Sequence, residues 1–121
     1  MDFGWCDICL RVTDVRRSRE FYEGLGFRRV EGKDSEGWAV VAQEAVRLGL
    51  YEPKHVGDHP VTINFRGGDV LAIAEELEGR GYQFEEPAKA GPSGGGSALL
   101  RDPDGYGIFF DTAPGETRKD P

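Results

Sequence analysis

The stretch "ICLRVTDVRRSREFYEGLGF", residues 8–27, decides the fold because a similar stretch follows it later in the chain. A gap-free match at an offset of 55 residues aligns it with "INFRGGDVLAIAEELEGRGY", residues 63–82. A repeat of this length predicts two similar supersecondary units. The alternative is that a strand, a helix and a turn of similar length coincide by chance. The matched pairs are Ile8 and Ile63, Arg11 and Arg66, Asp14 and Asp69, Val15 and Val70, Glu20 and Glu75, Glu23 and Glu78, Gly24 and Gly79, Gly26 and Gly81, and Phe27 and Tyr82.

Each unit is predicted to begin with a strand and continue into a helix. The segments "WCDICLRV", residues 5–12, and "VTINFR", residues 61–66, alternate with the period of two that is typical of strands. An aspartate follows each strand, Asp14 or Asp69, and is predicted to cap the helix N-terminus. Gly26 and Gly81 are predicted to end the helices, because glycine enters the left-handed region at little cost.

Short strands are predicted to complete each half, which gives the order β-α-β-β-β twice and an α+β fold class. Two sheets, each covered by its helix on one side, would curve around a shared cavity on the other side. We predict a single domain over residues 1–121, with module 1 at about 1–53, a connector at 54–60, module 2 at about 61–114 and a frayed tail at 115–121. The predicted strands are "FRRVEG" (27–32), "GWAVVAQ" (37–43), "VRLGLYE" (46–52), "YQFEE" (82–86), "GSALLRD" (96–102) and "GIFFDT" (107–112).

Composition excludes several classes of function. The chain has 121 residues and a formal net charge of -7, which disfavours nucleic acid as a partner and mildly favours a cationic small molecule. Apolar runs long enough for a membrane helix are missing from the sequence. The N-terminal sequence lacks the pattern of a signal peptide, so we expect a cytoplasmic protein.

The two cysteines form the motif "CDIC", whose spacing is found in zinc and redox sites. In a strand, however, Cys6 and Cys9 point to opposite faces. We therefore predict that they do not act together, and that Cys6 is a small core residue.

Two motifs carry a family resemblance. The segments "LRVTDVRRSREFYEGLGFRRVE", residues 10–31, and "LLRDPDGYGIFFD", residues 99–111, resemble the vicinal oxygen chelate superfamily of glyoxalases, bleomycin resistance proteins and extradiol dioxygenases. The resemblance covers nearly the whole chain. It implies paired βαβββ modules, usually in a homodimer, with the ligand held in a cup between the sheets.

The resemblance also implies a divalent metal, which family enzymes bind through His, Gln or Glu at the first and last strand of each half. Carried onto this chain, the four positions fall on Asp7, Thr62, Phe109 and either Gly49 or, with a register shifted by one, Leu48. A metal site needs several N or O donors around one point, and Asp7 is the one ionisable donor in this set. We therefore predict no metal and no cofactor.

The two histidines do not replace the missing ligands. His55 and His59 would share a face of a helix, but Gly57 and Pro60 disfavour a helix over that segment.

A ligand-binding face is predicted instead from strand alternation, with aromatic surface and a few polar groups. Arg11 and Arg66 belong to the same face, although they could equally pair with nearby carboxylates. Ordinary core positions are the alternative for Trp38 and Phe109. The predicted ligand-binding residues are Trp5, Asp7, Cys9, Trp38, Tyr51, Thr62, Asn64, Phe109 and Asp111.

One segment beside this face is predicted to be a loop. "GPSGGGS", residues 91–97, either closes over the cavity or is a solvated hairpin.

The sequence favours a metal-free, non-enzymatic protein of the bleomycin-resistance type, a homodimer that sequesters an aromatic or cationic small molecule. The first alternative is a metal-dependent lyase, isomerase or dioxygenase with unusual ligands such as Asp7, Asp111 and Glu52. The second is metal-free acid–base catalysis through Asp7, which requires a carboxylate of raised pKa.

Overall fold

The computed structural model describes residues 1–116 and contains the predicted β-α-β-β-β order twice. Over these residues it has eight strands of mixed direction and three helices, which confirms the α+β fold class. A 3-10 turn at Asp34–Glu36 follows the second strand. The elements are β1 (Gly4–Arg11), α1 (Val15–Gly24), β2 (Arg28–Lys33), β3 (Trp38–Gln43), β4 (Val46–Tyr51), α2 (Pro53–Val56), β5 (Val61–Gly67), α3 (Val70–Gly79), β6 (Glu86–Ala90), β7 (Gly96–Arg101) and β8 (Gly107–Thr112).

Contacts divide the described chain into two compact units. Asp7–Thr62 forms one, which we call the first-repeat unit. Met1–Cys6 joins the residues from Ile63 onward in the other, the second-repeat unit. The start of β1 therefore belongs with the second half of the sequence. Of the predicted tail at 115–121, residues 117–121 lie outside the described residues.

In the first-repeat unit the strands follow the order β2-β3-β4-β1. Strand β4 runs parallel to β1 and antiparallel to β3. Helix α1 packs against one face of these strands through Val15, which is 1% exposed and contacts Ala39, Val41 and Leu50. Because strand residues alternate, Trp38, Val40, Gly49 and their neighbours lie on the face opposite α1.

In the second-repeat unit the strands follow the order β5-β8-β7-β6. Helix α3 packs its stripe of Val70, Ile73 and Leu77 against Ala98 and Phe110. Phe3, Phe65 and Phe110 add mutual ring contacts at centroid distances of 5.0–5.6 Å. Aromatic rings at these separations pack favourably beyond their buried area.

The repeat extends to the hydrogen bonds at the ends of the helices, so the predicted caps are confirmed. Asp14 accepts a hydrogen bond from the Arg17 backbone N–H at 3.2 Å, and Asp69 accepts one from Ala72 at 3.1 Å. Past the other end, Gly26 and Gly81 have φ of 103° and 96°. The residue after each glycine donates its N–H back to the last turn, from Phe27 to the Tyr22 carbonyl and from Tyr82 to the Leu77 carbonyl, both at 3.1 Å.

The predicted strand at 82–86 was wrong, because β6 is formed by Glu86–Ala90. Pro87 lies within this strand. Strand β6 is the last in its order, paired only with β7, and its register shifts between Glu86 and Lys89. Proline is tolerated at such an edge because its missing N–H is not needed for a second neighbour.

The predicted connector at 54–60 begins within a short helix, α2, which ends at Val56 and is followed by Gly57 as its C-cap. This helix includes His55 but not His59. None of the helices formed by residues 1–116 is long and apolar enough to cross a membrane.

The prediction that Cys6 is a core residue was wrong. Cys6 is exposed, whereas Cys9 is buried with 7% of its surface accessible. The two side chains do point to opposite faces of β1. Cys6 belongs to neither of the hydrophobic clusters that α1 and α3 cover.

Candidate functional site

The centre of the first-repeat unit's candidate site is an ion-pair cluster around Asp7, a position that was predicted. Asp7 has no exposed surface. Arg47 on β4 donates its Nε–H to Asp7 Oδ1 at 2.5 Å, and its Nη2 lies 3.5 Å from Asp7 Oδ2. The same Nη2 donates to Glu31 Oε2 on β2 at 2.7 Å. The guanidinium thus bridges two carboxylates.

Electrostatics keep Arg47 charged in this cluster. Its partial burial acts to lower the pKa, but hydrogen bonds and the negative charges of Asp7 and Glu31 outweigh that effect, so the pKa of Arg47 is raised. A buried carboxylate needs such a partner, because an uncompensated charge away from water is strongly destabilising. Arg47 is therefore a permanent cation beside Asp7.

Gly49 lies next to this cluster and resolves the choice between Gly49 and Leu48. It pairs with Cys9 on β1 and with Val40 on β3, on the face opposite α1. Leu48 instead packs into the cluster under α1. A Cβ at position 49 would lie 2.6 Å from Tyr51 Cε2 and 3.0 Å from Cys9 Sγ, so the space for a side chain is already filled.

Aromatic rings extend the same face. Trp38 stacks on Tyr51 with centroids 5.7 Å apart and an interplanar angle of 6°, and the ring of His55 meets Tyr51 edge-on at 5.9 Å. Trp38 is half-buried, outside the cluster under α1, and its indole N–H donates to Glu36 Oε1 at 3.2 Å. It is thus a ring of the opposite face rather than part of the helix-covered core.

The second-repeat unit carries its own candidate site, built on Phe109 and Asp111 of β8. Asn64, only 6% exposed, donates through Nδ2 to Asp111 Oδ1 at 2.7 Å and to the Phe109 carbonyl at 3.2 Å. Asn64 therefore fixes the strand and its carboxylate. Phe109 is half-buried and lies outside the cluster under α3, to which Phe110 belongs.

Phe109 and Asp111 line a pocket of about 680 Å³, within the range of typical small-molecule sites. Its wall is the glycine-rich loop, which folds as the connection from β6 to β7 and carries an internal hydrogen bond from the Gly91 N–H to the Gly95 carbonyl at 3.2 Å. The other lining residues are Lys89, Ala90, Pro92, Ser93, Gly94, Gly96, Ser97, Thr112, Ala113 and Pro114.

Trp5 and Arg66 also come together in the second-repeat unit. The Arg66 guanidinium lies 5.8 Å from the Trp5 ring centroid and pairs with Glu116 at 3.0 Å. A guanidinium at this distance from an indole ring makes a cation–π contact. The prediction that Arg66 pairs with a carboxylate is therefore confirmed.

Arg11 and Thr62 complete the predicted face. Arg11 lies 3.8 Å from the exposed Asp58 and donates to the Gly57 carbonyl at 3.4 Å, and Thr62 is half-buried on β5.

The donor set does not fit the divalent metal that the resemblance implies. Asp7 is engaged by Arg47, Gly49 has no side chain, and Phe109 offers no lone pair. Of the unusual ligands considered above, Glu52 accepts a hydrogen bond through Oε2 from the Val15 N–H at 2.9 Å, and Asp111 accepts one through Oδ1 from Asn64. Across residues 1–116, no group of three or more His, Cys, Asp or Glu side chains is placed to hold a metal ion.

The chain belongs to the glyoxalase/bleomycin resistance protein/dioxygenase superfamily, whose family model matches residues 4–110. This confirms the resemblance inferred from the two motifs. No protein of curated function matches the chain significantly.

Solved structures share the fold at low sequence identity. An NAD-dependent benzaldehyde dehydrogenase from Legionella pneumophila superposes with a TM-score of 0.70 at 17% identity, covering 88% of this chain and 97% of that chain. A superfamily member from Vibrio splendidus 12B01 gives 0.65 at 16%, with 91% and 99% covered. A hypothetical protein from Bacillus halodurans C-125 gives 0.65 at 19%, with 94% and 96% covered. At these identities the similarity shows the fold alone.

Three residues of these sites were not among those predicted from the sequence. Arg47 was detectable, because it alternates with Gly49 and Tyr51 along β4 and so shares their face. Glu31 was not, because a register shift between Arg29 and Glu31 changes the alternation of β2. Lys89 was missed because β6 was placed too early in the sequence.

Proposed function

We propose that this protein is a metal-free binding protein of the bleomycin-resistance type, which sequesters an aromatic or cationic small molecule and works as a homodimer in the cytoplasm. One observation carries the proposal: the buried carboxylate at the predicted metal position, Asp7, is paired with a guanidinium. Arg47 supplies there the positive charge that a metal would otherwise supply.

Aromatic surface supports the binding role. The Trp38–Tyr51 stack and the ring of Phe109 offer flat apolar area, to which aromatic ligands bind by stacking. Asp111 adds a carboxylate beside Phe109 for a cationic group. A few polar groups within apolar walls are the usual composition of a small-molecule site.

The test compares metals with organic ligands on the purified protein. We expect elemental analysis to find less than about 0.1 equivalent of Ni, Zn, Mn or Fe per chain, and none of these ions to raise the Tm. Aromatic, peptide-like cationic antibiotics are expected to raise it, because a ligand that binds the folded state stabilises it by mass action. Stoichiometric metal that Asp7→Ala abolishes would favour the metal-dependent enzyme and contradict the proposal.

Two variants locate the binding. Phe109→Ala removes the pocket's aromatic wall and is expected to weaken an aromatic ligand at least about tenfold, which corresponds to roughly 1.4 kcal/mol. Tyr106→Ala removes an exposed ring on the turn before β8 and serves as the control. Equal affinity in the two variants would place the ligand elsewhere. Light scattering after size exclusion tests the dimer.

A further inference from the structure

A row of polar side chains crosses three strands of the second-repeat unit at the pocket beside Phe109. Lys89 on β6 pairs in register with Ser97 on β7, and Ser97 pairs with Asp111 on β8. All three line that pocket. Because neighbouring strands lie about 4.8 Å apart, the Cα atoms of Lys89 and Asp111 are about 10 Å apart.

The two ends of this row carry opposite charges. Lys89 is exposed and has no ion-pair partner among residues 1–116. Asp111 is held by the hydrogen bond from Asn64, so its carboxylate has a fixed position. Serine between them donates or accepts hydrogen bonds according to the ligand.

The apolar part of the pocket lies next to the negative end. Phe109 and Asp111 are two residues apart on β8 and therefore share a face. A ligand ring that stacks on Phe109 brings a cationic group attached near it to Asp111. Its anionic group, if the ligand extends along the row, reaches Lys89.

We infer that this pocket selects zwitterions: molecules with an aromatic body, a cationic group bound by Asp111 and an anionic group bound by Lys89. This inference rests on the proposed binding function and narrows its ligand class. An extended chain spans at most about 3.3–3.6 Å per residue, so three residues match the separation of the Lys89 and Asp111 Cα atoms. A tripeptide with free termini and a central aromatic residue has the required chemistry.

The experiment uses glycyl-phenylalanyl-glycine, its N-acetyl form and its C-terminal amide, titrated into the full chain by calorimetry. Ionic strength is kept near 20 mM, because salt screens an exposed lysine. We expect the free tripeptide to bind at least fivefold more tightly than either blocked form. Lys89→Gln should weaken the free tripeptide about fivefold but leave the affinity of the amide unchanged. Asp111→Asn should weaken the free tripeptide about fivefold but leave the affinity of the N-acetyl form unchanged.

Charge-matched variants at exposed positions serve as controls. Lys33→Gln and Asp104→Asn change the net charge equally but lie outside the pocket lining, and each is expected to bind the tripeptide like the wild type. Near-UV circular dichroism identifies a variant whose packing has changed. For such a variant, the test is the comparison of the free and blocked tripeptides on the wild-type protein.

Three outcomes overturn the inference: no binding of the free tripeptide at 10 mM, equal binding of free and blocked tripeptides, or equal losses in the control variants. Different results would contradict the proposed function: stoichiometric metal in the purified protein, or a Tm that no aromatic cation raises. A protein that binds aromatic cations but ignores the C-terminal carboxylate would retain the proposed function and exclude the zwitterion class.

Discussion

Arg47 donates its Nε–H to the fully buried Asp7 carboxylate at 2.5 Å, and the same guanidinium bonds to Glu31. Asp7 occupies the β1 position at which the family resemblance implies a metal ligand. The arrangement satisfies a carboxylate inside the protein with a side chain that is always charged. The negative charge is retained in the site, and its counterion belongs to the chain itself.

Removing this counterion should destabilise the protein. Arg47→Met keeps most of the side chain's length but leaves Asp7 buried without its cation, and we expect a loss of about 3 kcal/mol in the free energy of unfolding, the low end for one partner of a buried pair. Urea denaturation measures it.

The double variant distinguishes a charge effect from a packing effect. Asp7→Leu together with Arg47→Met removes both charges, so we expect it to be at least 1 kcal/mol more stable than Arg47→Met alone. Arg16→Met, at an exposed residue on α1, is the control and should change stability by less than about 0.5 kcal/mol. A double variant less stable than Arg47→Met would contradict the ion-pair account.

Acid should weaken a second ion pair in the same unit. Arg19 on α1 donates two hydrogen bonds to Asp34, from Nε to Oδ1 at 2.9 Å and from Nη2 to Oδ2 at 2.5 Å. The hydrogen bonds from Arg19 hold the pKa of Asp34 below its ordinary value of 3.8, whereas burial opposes that shift. A lowered pKa means that the pair stabilises the fold fully above the unfolded value and loses this contribution as the pH falls below it.

The measurement compares wild type with Asp34→Asn by urea denaturation between pH 3 and pH 7. We expect a difference of about 1 kcal/mol, the upper end for a partly exposed pair, that is constant from pH 5 to pH 7 and shrinks below pH 4. Asp104→Asn, on an exposed turn, should give no such pH-dependent difference. A difference that grows in acid would have the wrong sign for this mechanism.

The helix caps give a prediction for both repeats. Asp14→Ala and Asp69→Ala each leave backbone N–H groups of a first turn without their side-chain acceptor, and each should cost about 1 kcal/mol. Asp14→Ser and Asp69→Ser retain a capping oxygen and should recover most of that loss. Thermal unfolding of the four variants tests this, and alanine variants as stable as the serine variants would exclude a capping role.

The capping positions also explain why so much of the fold was predictable from the sequence. Asp14, Asp69, Gly26 and Gly81 act within one helical turn, so their effect is local and readable from spacing. The placement of β6 was not, because Pro87 is compatible with a strand only at an edge, and strand order is a tertiary property. The prediction that Cys6 is a core residue failed for the same reason, because its exposure depends on which helix covers that part of β1.

The candidate sites were predictable in part. Alternation along β8 correctly separated Phe109 from the core residue Phe110, because alternation is a property of the strand alone. The contact of Asp7 with Arg47 depends on the pairing of β1 with β4, and the contact of Arg47 with Glu31 depends on the irregular register of β2. The pairing of β1 with β4 joins residues 40 positions apart, as does the contact of Asp7 with Arg47, and no local pattern encodes it.

The last prediction tests whether Gly49, the fourth predicted metal position, has room for a side chain. A Cβ there would lie 2.6 Å from Tyr51 Cε2, so Gly49→Ala must displace the ring that stacks on Trp38. We expect a loss of about 1–3 kcal/mol in the free energy of unfolding, the usual cost of overpacking, and a changed near-UV circular dichroism spectrum.

Gly24→Ala at the end of α1 is the control, because no atom lies within 4 Å of its added Cβ. This variant should keep the spectrum and unfold no more easily. An unchanged spectrum in Gly49→Ala would mean that Tyr51 yields space freely, and then a histidine or glutamate at this position would fit. With the ring fixed, such a ligand has no room, because the side chain that a metal would need and the aromatic stack compete for one volume.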